Sequence, residues 1–311
     1  MTILLATDFD SAEQRLWLEL LQAALPDERF VSDRQAVDDA TIDIAIVANP
    51  PPGALRGLAN LRLIQSLWAG VDKLLGDPSV PPQVTIARMV DPAMNAAMAE
   101  TALWAVLSLH RGFFTYAAQQ RARHWQPLVQ RRADEVAVAV LGLGQMGRAV
   151  ALRLAAQGYR VSGWSARPAE LASIHTHTGD DSLGPLLART DLVVNLLPLT
   201  PATRGLLCAR TFDAMPRGAS LVNLARGAHV VDADLLAALD RGHLQHAVLD
   251  VFATEPLPAD HRYWLHPNVT VLPHAAAQTD ARSAAAVAAA NVRRVRFGEP
   301  PQSLVDRRRG Y

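Results

Sequence analysis

Three polar residues, each just beyond an apolar run, have the types needed to handle a carbonyl beside a carboxylate. They are Arg226 in V-N-L-A-R-G, Glu255 in L-D-V-F-A-T-E-P-L-P and His274 in V-T-V-L-P-H-A-A-A. A planar guanidinium grips a 2-oxo acid through its carboxylate and carbonyl oxygens. Histidine passes a proton near neutrality, and a carboxylate paired with it favours the imidazolium. Together they make a charged acid that protonates a carbonyl oxygen as hydride arrives at the carbon. Singly, each has a plainer reading: a surface arginine, a turn residue before Pro256, one satisfied histidine among ten. Placement at three successive strand ends, where open parallel sheets bind ligands, makes coincidence a poor account.

Such chemistry needs a hydride source, and E-V-A-V-A-V-L-G-L-G-Q-M-G over residues 135–147 reads as its binding turn. The apolar run 136–141 is a strand buried on both faces. Gly142, Gly144 and Gly147 follow in G-x-G-x-x-G spacing, with Gln145 and Met146 opening an alanine-rich helix over residues 148–157. The helix N-terminus offers unpaired N–H groups to a pyrophosphate. A structural βα turn is the alternative.

An acidic residue about twenty positions past the glycines marks NAD by bonding the ribose 2′-hydroxyl. Here the second strand ends in Ser165-Ala166-Arg167-Pro168. A guanidinium binds a 2′-phosphate that a carboxylate would repel, and Ser165 can add a donor. This favours NADP, and NADPH over NADH, against an ordinary loop arginine at position 167.

The elements that must position these residues alternate in α/β order. Strands are expected at 3–6, 44–48, 63–67 and 84–87, with a helix over 11–25 capped by Ser11. A long helix over 94–109 leads to a second unit with six strands, at 136–141, 160–164, 192–197, 220–224, 246–251 and 269–272, matching a doubly wound dinucleotide fold. A helix over 279–297 and a short tail, too small to fold alone, return to the first unit. The arginines 307–309 read as solvated.

At 311 residues and 50% apolar composition the chain suits two domains. The 30 basic and 30 acidic residues balance, which removes the electrostatic case for nucleic acid or a membrane surface. All the basic residues but Lys73 are arginine. A single cysteine, Cys208, excludes an internal disulfide and fits a reducing compartment. With no signal peptide and no apolar run of spanning length, a cytoplasmic protein is expected. No metal is expected.

The glycine turn, N-L-A-R-G, D-V-F-x-x-E-P-L-P and L-P-H together resemble the D-isomer-specific 2-hydroxyacid dehydrogenase family over most of the chain. The resemblance extends to its glyoxylate and hydroxypyruvate reductase branch through Ser66-Leu67-Trp68-Ala69-Gly70-Val71-Asp72, Arg88-Met89-Val90-Asp91-Pro92 and the ending from Val305 to Tyr311. It implies that Arg226 binds and polarises substrate, that Glu255 orients the acid His274, and that the chain is a homodimer. It also implies a doubly wound Rossmann domain and a smaller flavodoxin-like α/β substrate domain with a cleft between them. The divisions are 1–99 for the first part of the substrate domain, 100–278 for the NADP-binding domain, and 279–311 returning to the first. Amides around Ala69, Gly70 and Val71 would bind the substrate carboxylate. Trp68 would restrict the site to small 2-oxo acids, glyoxylate or hydroxypyruvate, with core packing as its alternative. Leu197, Pro198 and Thr203 would border adenosine and pyrophosphate, and Leu224 and Ala225 the nicotinamide ribose. Asp250 would bond the nicotinamide amide or be structural, and Ala276 would leave room for the ring. The head group of Arg88, and whether Trp125 reaches a neighbouring subunit, are left open. Two other classes share the nucleotide turn: a dinucleotide-binding sensor or scaffold with little turnover, and a methyltransferase. Neither requires the arginine, glutamate and histidine.

Overall fold

Short β-branched runs separated by turn residues become parallel strands, and the alanine-rich stretches between them become covering helices. The computed structural model describes residues 1–311. The chain runs β1 (Thr2–Thr7), α1 (Ser11–Ala24), β2 (Arg29–Val31), β3 (Ile42–Ala48), β4 (Leu63–Ser66), α2 (Asp72–Gly76), β5 (Thr85–Ala87), α3 (Pro92–His110) and α4 (Phe113–Arg121). It continues through β6 (Ala137–Leu141), α5 (Gln145–Ala156), β7 (Arg160–Ser165), β8 (His175–Thr178), α6 (Asp180–Leu187), β9 (Leu192–Asn195) and α7 (Ala209–Asp213). Last come β10 (Ala219–Asn223), α8 (Asp232–Asp240), β11 (Leu244–Leu249), β12 (Val269–Val271) and α9 (Ala281–Arg296). No helix is long and apolar enough to cross a membrane.

Two compact units result, one of Met1–Met94 with Thr279–Tyr311 and the other of Asn95–Gln278. The first division therefore falls five residues before the expected 99/100. Met98 and Ala99 explain the difference: both are buried in the core of the second unit, with Ala102, Val106 and Val138.

Unit 1 is a five-stranded parallel sheet of order β2-β1-β3-β4-β5, the flavodoxin-like order. All seven residues of β3 are buried, as a central strand covered on both faces requires. Helix α1 is capped one residue earlier than expected: the Asp10 carboxylate, not Ser11, accepts from the N–H groups of Ala12 and Glu13, each at 2.8 Å. Aspartate at this position also complements the positive end of the helix. The returning α9 is fastened by Arg296, whose guanidinium pairs with Glu28 at 2.6 and 2.8 Å and with Asp43. Asn291 donates to Gln65 at 2.7 Å within the buried interior. The arginines near the C-terminus are not all solvated. Arg307 donates to the carbonyls of Pro81 and Val84, each at 2.8 Å, because the tail lies along β5 through the Ala87–Leu304 bridge.

Unit 2 is a seven-stranded parallel sheet, β12-β11-β10-β9-β6-β7-β8, one strand more than the sequence suggests. The extra strand β8 is H-T-H-T, an edge segment with no buried residue, so it carries no apolar alternation to betray it. The three-residue edge strand β2 escapes notice in unit 1 for the same reason. Strand order reverses between β6 and β9, so ligands are expected at the C-terminal ends of these strands.

His246 on β11 is buried, stacked on Phe114 (centroids 4.6 Å apart, 2° between planes) and bonded through Nε2 to Thr270 Oγ1 at 2.9 Å. Burial, with the nearby His266 adding to it, pushes its pKa down from 6.5 to about 4. Between these values the unfolded chain binds a proton that the folded chain refuses, so stability falls as pH drops from 6.5 toward 4. The loss is up to about 3 kcal/mol from this group. His246→Gln, which keeps a partner for Thr270, is expected to flatten the decline of Tm with pH across that window. A decline as steep as that of the parent protein would refute it.

Candidate active site

The glycine turn closes the end of β6. Gly142 has φ +96°, a left-handed conformation, and a Cβ on it would lie 2.5 Å from the Leu196 carbonyl oxygen. Gly144 is different: a Cβ there meets nothing within 4 Å, so open space lies in front of it. Gly144 also caps α5 without a side-chain hydrogen bond. The N–H groups of Gln145, Met146 and Gly147 consequently make no hydrogen bond within the chain. Donors facing open space at a helix N-terminus fit a pyrophosphate. No three His, Cys, Asp or Glu side chains are grouped in a way that could hold a metal ion.

The loop after β7 carries Ser165 and the exposed Arg167. Ser165 Oγ donates to the Arg167 carbonyl at 2.6 Å, so the hydroxyl shapes the turn that presents the arginine. Arg148 ties this loop to the glycine turn, donating from Nε to Leu143 O at 3.1 Å and from Nη1 to Glu170 O at 3.1 Å.

At the end of β12, His274 Nδ1–H donates to Glu255 Oε2 at 2.8 Å. Oε1 of the same carboxylate accepts from the Phe252 N–H at 2.9 Å, which fixes its rotamer. With Nδ1 engaged, Nε2 makes no hydrogen bond, and the side chain is half exposed. His274 has φ +53°, unusual for a residue with a Cβ. Asp250 holds it there. The Asp250 carbonyl accepts from the His274 N–H at 2.8 Å, and its carboxylate accepts from Ala275 N at 2.7 Å and Ala276 N at 3.1 and 3.2 Å. Asp250 is 2% exposed and both its carboxylate oxygens accept from this loop, which gives the residue a structural part in holding His274. Ala276 is likewise buried, with its N–H on Asp250.

Arg226 follows β10 and donates from Nη1 to the Ala225 carbonyl at 2.7 Å. Its carbonyl accepts from Asn223 Nδ2 at 3.0 Å. Gly227 sets this turn against the Glu255 loop, since a Cβ on it would lie 1.9 Å from the Phe252 carbonyl carbon. Beneath lies a buried network that the motifs do not reveal. Asn195 Nδ2 donates to Asn223 Oδ1 at 2.9 Å and to His229 Nδ1 at 3.0 Å, and His229 Nε2–H donates to Pro198 O at 3.2 Å. All three side chains are fully buried, so the network locks the ends of β9 and β10 and the Leu197-Pro198 turn to one another. The signal for it was two asparagines closing apolar strands, at V-V-N and L-V-N. Thr203 spends its hydroxyl within the loop, donating to Pro198 O at 2.7 Å and accepting from Thr200 N at 2.8 Å. Leu197, Leu224 and Ala225 are buried.

In unit 1, Trp68 at the end of β4 is half-buried and meets Phe9 edge-on, with centroids 5.9 Å apart. The ring therefore packs on one side without entering the core. The next three N–H groups, of Ala69, Gly70 and Val71, make no hydrogen bond within the chain.

Comparison with known proteins gives the family. Residues 103–276 match the family described as D-isomer specific 2-hydroxyacid dehydrogenase, NAD binding domain. A glyoxylate/hydroxypyruvate reductase A from Serratia proteamaculans is 38% identical, with all of both chains covered. A D-isomer specific 2-hydroxyacid dehydrogenase from Xanthobacter autotrophicus, solved with NADPH and MES, is 39% identical at a TM-score of 0.94, covering 100% of this chain and 99% of that one. An NADPH-dependent glyoxylate/hydroxypyruvate reductase from Sinorhizobium meliloti, solved with NADP and sulfate, is 33% identical at a TM-score of 0.93 over the same shares. The fold, the glycine turn and these matches place the chain in the D-isomer specific 2-hydroxyacid dehydrogenase family.

Proposed function

We propose that the chain is an NADPH-dependent reductase of small 2-oxo acids, taking glyoxylate to glycolate and hydroxypyruvate to D-glycerate. The observation that carries the reading is the His274–Glu255 pair at 2.8 Å, with Nε2 left unpartnered. It stands at the same C-terminal sheet edge as the glycine turn. In this reading unit 2 holds the cofactor, and within unit 1 the unpaired N–H groups of the 68–71 loop suit a carboxylate. The dinucleotide, when bound, supplies the hydride that reduces the carbonyl carbon. His274 delivers a proton from Nε2 to the carbonyl oxygen. Glu255 keeps the ring in the tautomer that makes this possible and balances its charge. Arg226 grips the substrate and stabilises the negative charge growing on its oxygen. Gln145, Met146 and Gly147 offer their N–H groups to the pyrophosphate, and Arg167 pairs with the 2′-phosphate. Support for NADPH comes from the missing acid after β7 and from the relatives solved with NADPH or NADP. Trp68 limits the size of the substrate.

The working form in this reading is a homodimer in the cytoplasm. Trp104, Phe113, Trp125 and Val129, all in or just after α3 and α4, leave large apolar surfaces exposed, and Trp125 is 98% exposed. One preparation tests these points. Glyoxylate and hydroxypyruvate should be reduced with NADPH far faster than with NADH, at a sedimentation mass twice the 33.6 kDa of one chain. Arg167→Asp is expected to reverse the coenzyme preference by raising KM for NADPH at least tenfold, because a carboxylate repels the 2′-phosphate. No NADPH oxidation with any 2-oxo acid would favour the sensor reading instead, and an unchanged coenzyme ratio in Arg167→Asp would remove that residue from the phosphate site.

A further inference from the structure

Arg88 stands directly after β5, at the C-terminal edge of the unit 1 sheet. Its backbone is pinned on both sides: Arg88 N–H donates to Ser303 O at 3.0 Å, and the Met89 N–H donates to Trp68 O at 3.1 Å. The second bond sets the arginine beside the 68–71 loop, whose N–H groups at Ala69, Gly70 and Val71 are unpaired. The Arg88 side chain is half-buried, yet it makes no hydrogen bond and no ion pair. Burial alone acts on it, pulling its pKa below the usual arginine value, with no carboxylate to offset that effect. Arg34, Arg296 and Arg307 of the same unit are also partly buried, and each is satisfied by carboxylates or carbonyls. A desolvated charge without a partner weakens the folded chain. A ligand anion is what would complete it, and the unpaired N–H groups of the adjoining 68–71 loop offer further donors for an anion bound at this edge.

We propose that Arg88 is a specificity-determining residue that binds a substrate carboxylate at this sheet edge, beside the 68–71 loop. The inference rests on the reductase reading and deepens it. It distinguishes Arg88 from Arg226, which belongs to unit 2 and acts at the reacting carbonyl.

The test uses the full-length protein, Arg88→Met and Arg88→Lys. Three quantities are measured: Tm without ligand, KM with NADPH for glyoxylate and for ketomalonate, and the affinity of oxalate by calorimetry with NADP present. Arg88→Met is expected to leave Tm unchanged or raise it, since an unpaired charge is removed. It should also raise KM at least tenfold and weaken oxalate to a similar degree, the scale of a lost charge-assisted bond. Arg88→Lys should recover part of the loss. Glyoxylate carries one carboxylate and ketomalonate two. A defect with both places Arg88 on the carboxylate next to the carbonyl, and a defect with ketomalonate alone places it on the far one. Unchanged KM and oxalate affinity would overturn the proposal, as would a fall in Tm with unchanged KM. If the parent protein reduces no 2-oxo acid, the reductase reading fails, while oxalate affinity in parent and Arg88→Met still decides the role of Arg88.

Discussion

His274→Asn is expected to lower kcat for glyoxylate by about three orders of magnitude, the range a positioned general acid supplies, with Tm and KM for NADPH nearly unchanged. Asparagine is the informative choice because residue 274 sits at φ +53°, and asparagine adopts left-handed backbone more readily than alanine. The Asp250 bonds run to the N–H groups of residues 274, 275 and 276, so they survive the change. What is lost is the ring nitrogen that carries the proton. Glu255→Gln should be milder in turnover, because the amide oxygen can still accept from the Phe252 N–H while the charge beside the imidazole is gone. Arg226→Ala belongs with the histidine variant and should lower turnover at least as far, with the fold intact. Near-native kcat in His274→Asn or Arg226→Ala at saturating NADPH would dismiss the proposed mechanism.

Two glycines of one turn should fail in opposite ways. A Cβ on Gly147 would lie 1.7 Å from the Gly142 carbonyl oxygen, a backbone atom that cannot swing aside. Gly147→Ala must therefore push α5 away from the end of β6. We expect a loss of about 3 kcal/mol, the upper range for overpacking, which lowers Tm by roughly 6–12 °C in a unit of this size. Cofactor binding should fall with it, since the N–H groups of residues 145–147 move as the helix moves. Gly144 has φ −70°, and a methyl group at its Cβ position would have nothing within 4 Å, so Gly144→Ala should leave Tm in place. That methyl instead occupies the space in front of the helix, and KM for NADPH is expected to rise at least tenfold. Thermal melts and coenzyme titrations on the two variants provide the check. Equal effects on Tm, or undisturbed NADPH binding in Gly144→Ala, would mean that the phosphates lie elsewhere.

The glycine turn and the residues of the His274–Glu255 pair were legible because their signals are local. A glycine turn between a β-branched run and an alanine-rich helix occupies a dozen consecutive residues, and Arg226, Glu255 and His274 each follow a strand whose composition announces it. Local reading failed where a residue's surroundings do not come from its neighbours in the chain. Strand β8 is recognisable only because β7 lies beside it, since H-T-H-T buries nothing of its own. Arg307 has charged neighbours in the chain, yet it is held by carbonyls more than 220 residues earlier.

By itself, then, the order of apolar runs and turn residues determined a doubly wound parallel sheet with a second α/β unit, and it marked the glycine, arginine, glutamate and histidine positions. Tertiary structure alone decided how those positions are held. It set the Asp250 carboxylate against the loop that carries His274, joined Asn195, Asn223 and His229 beneath the Arg226 turn, and left Arg88 without a counter-charge. The physical reason is that hydrogen bonds and desolvation act over a few ångströms in space. Parallel strands bring to that distance residues that lie dozens of positions apart in the chain.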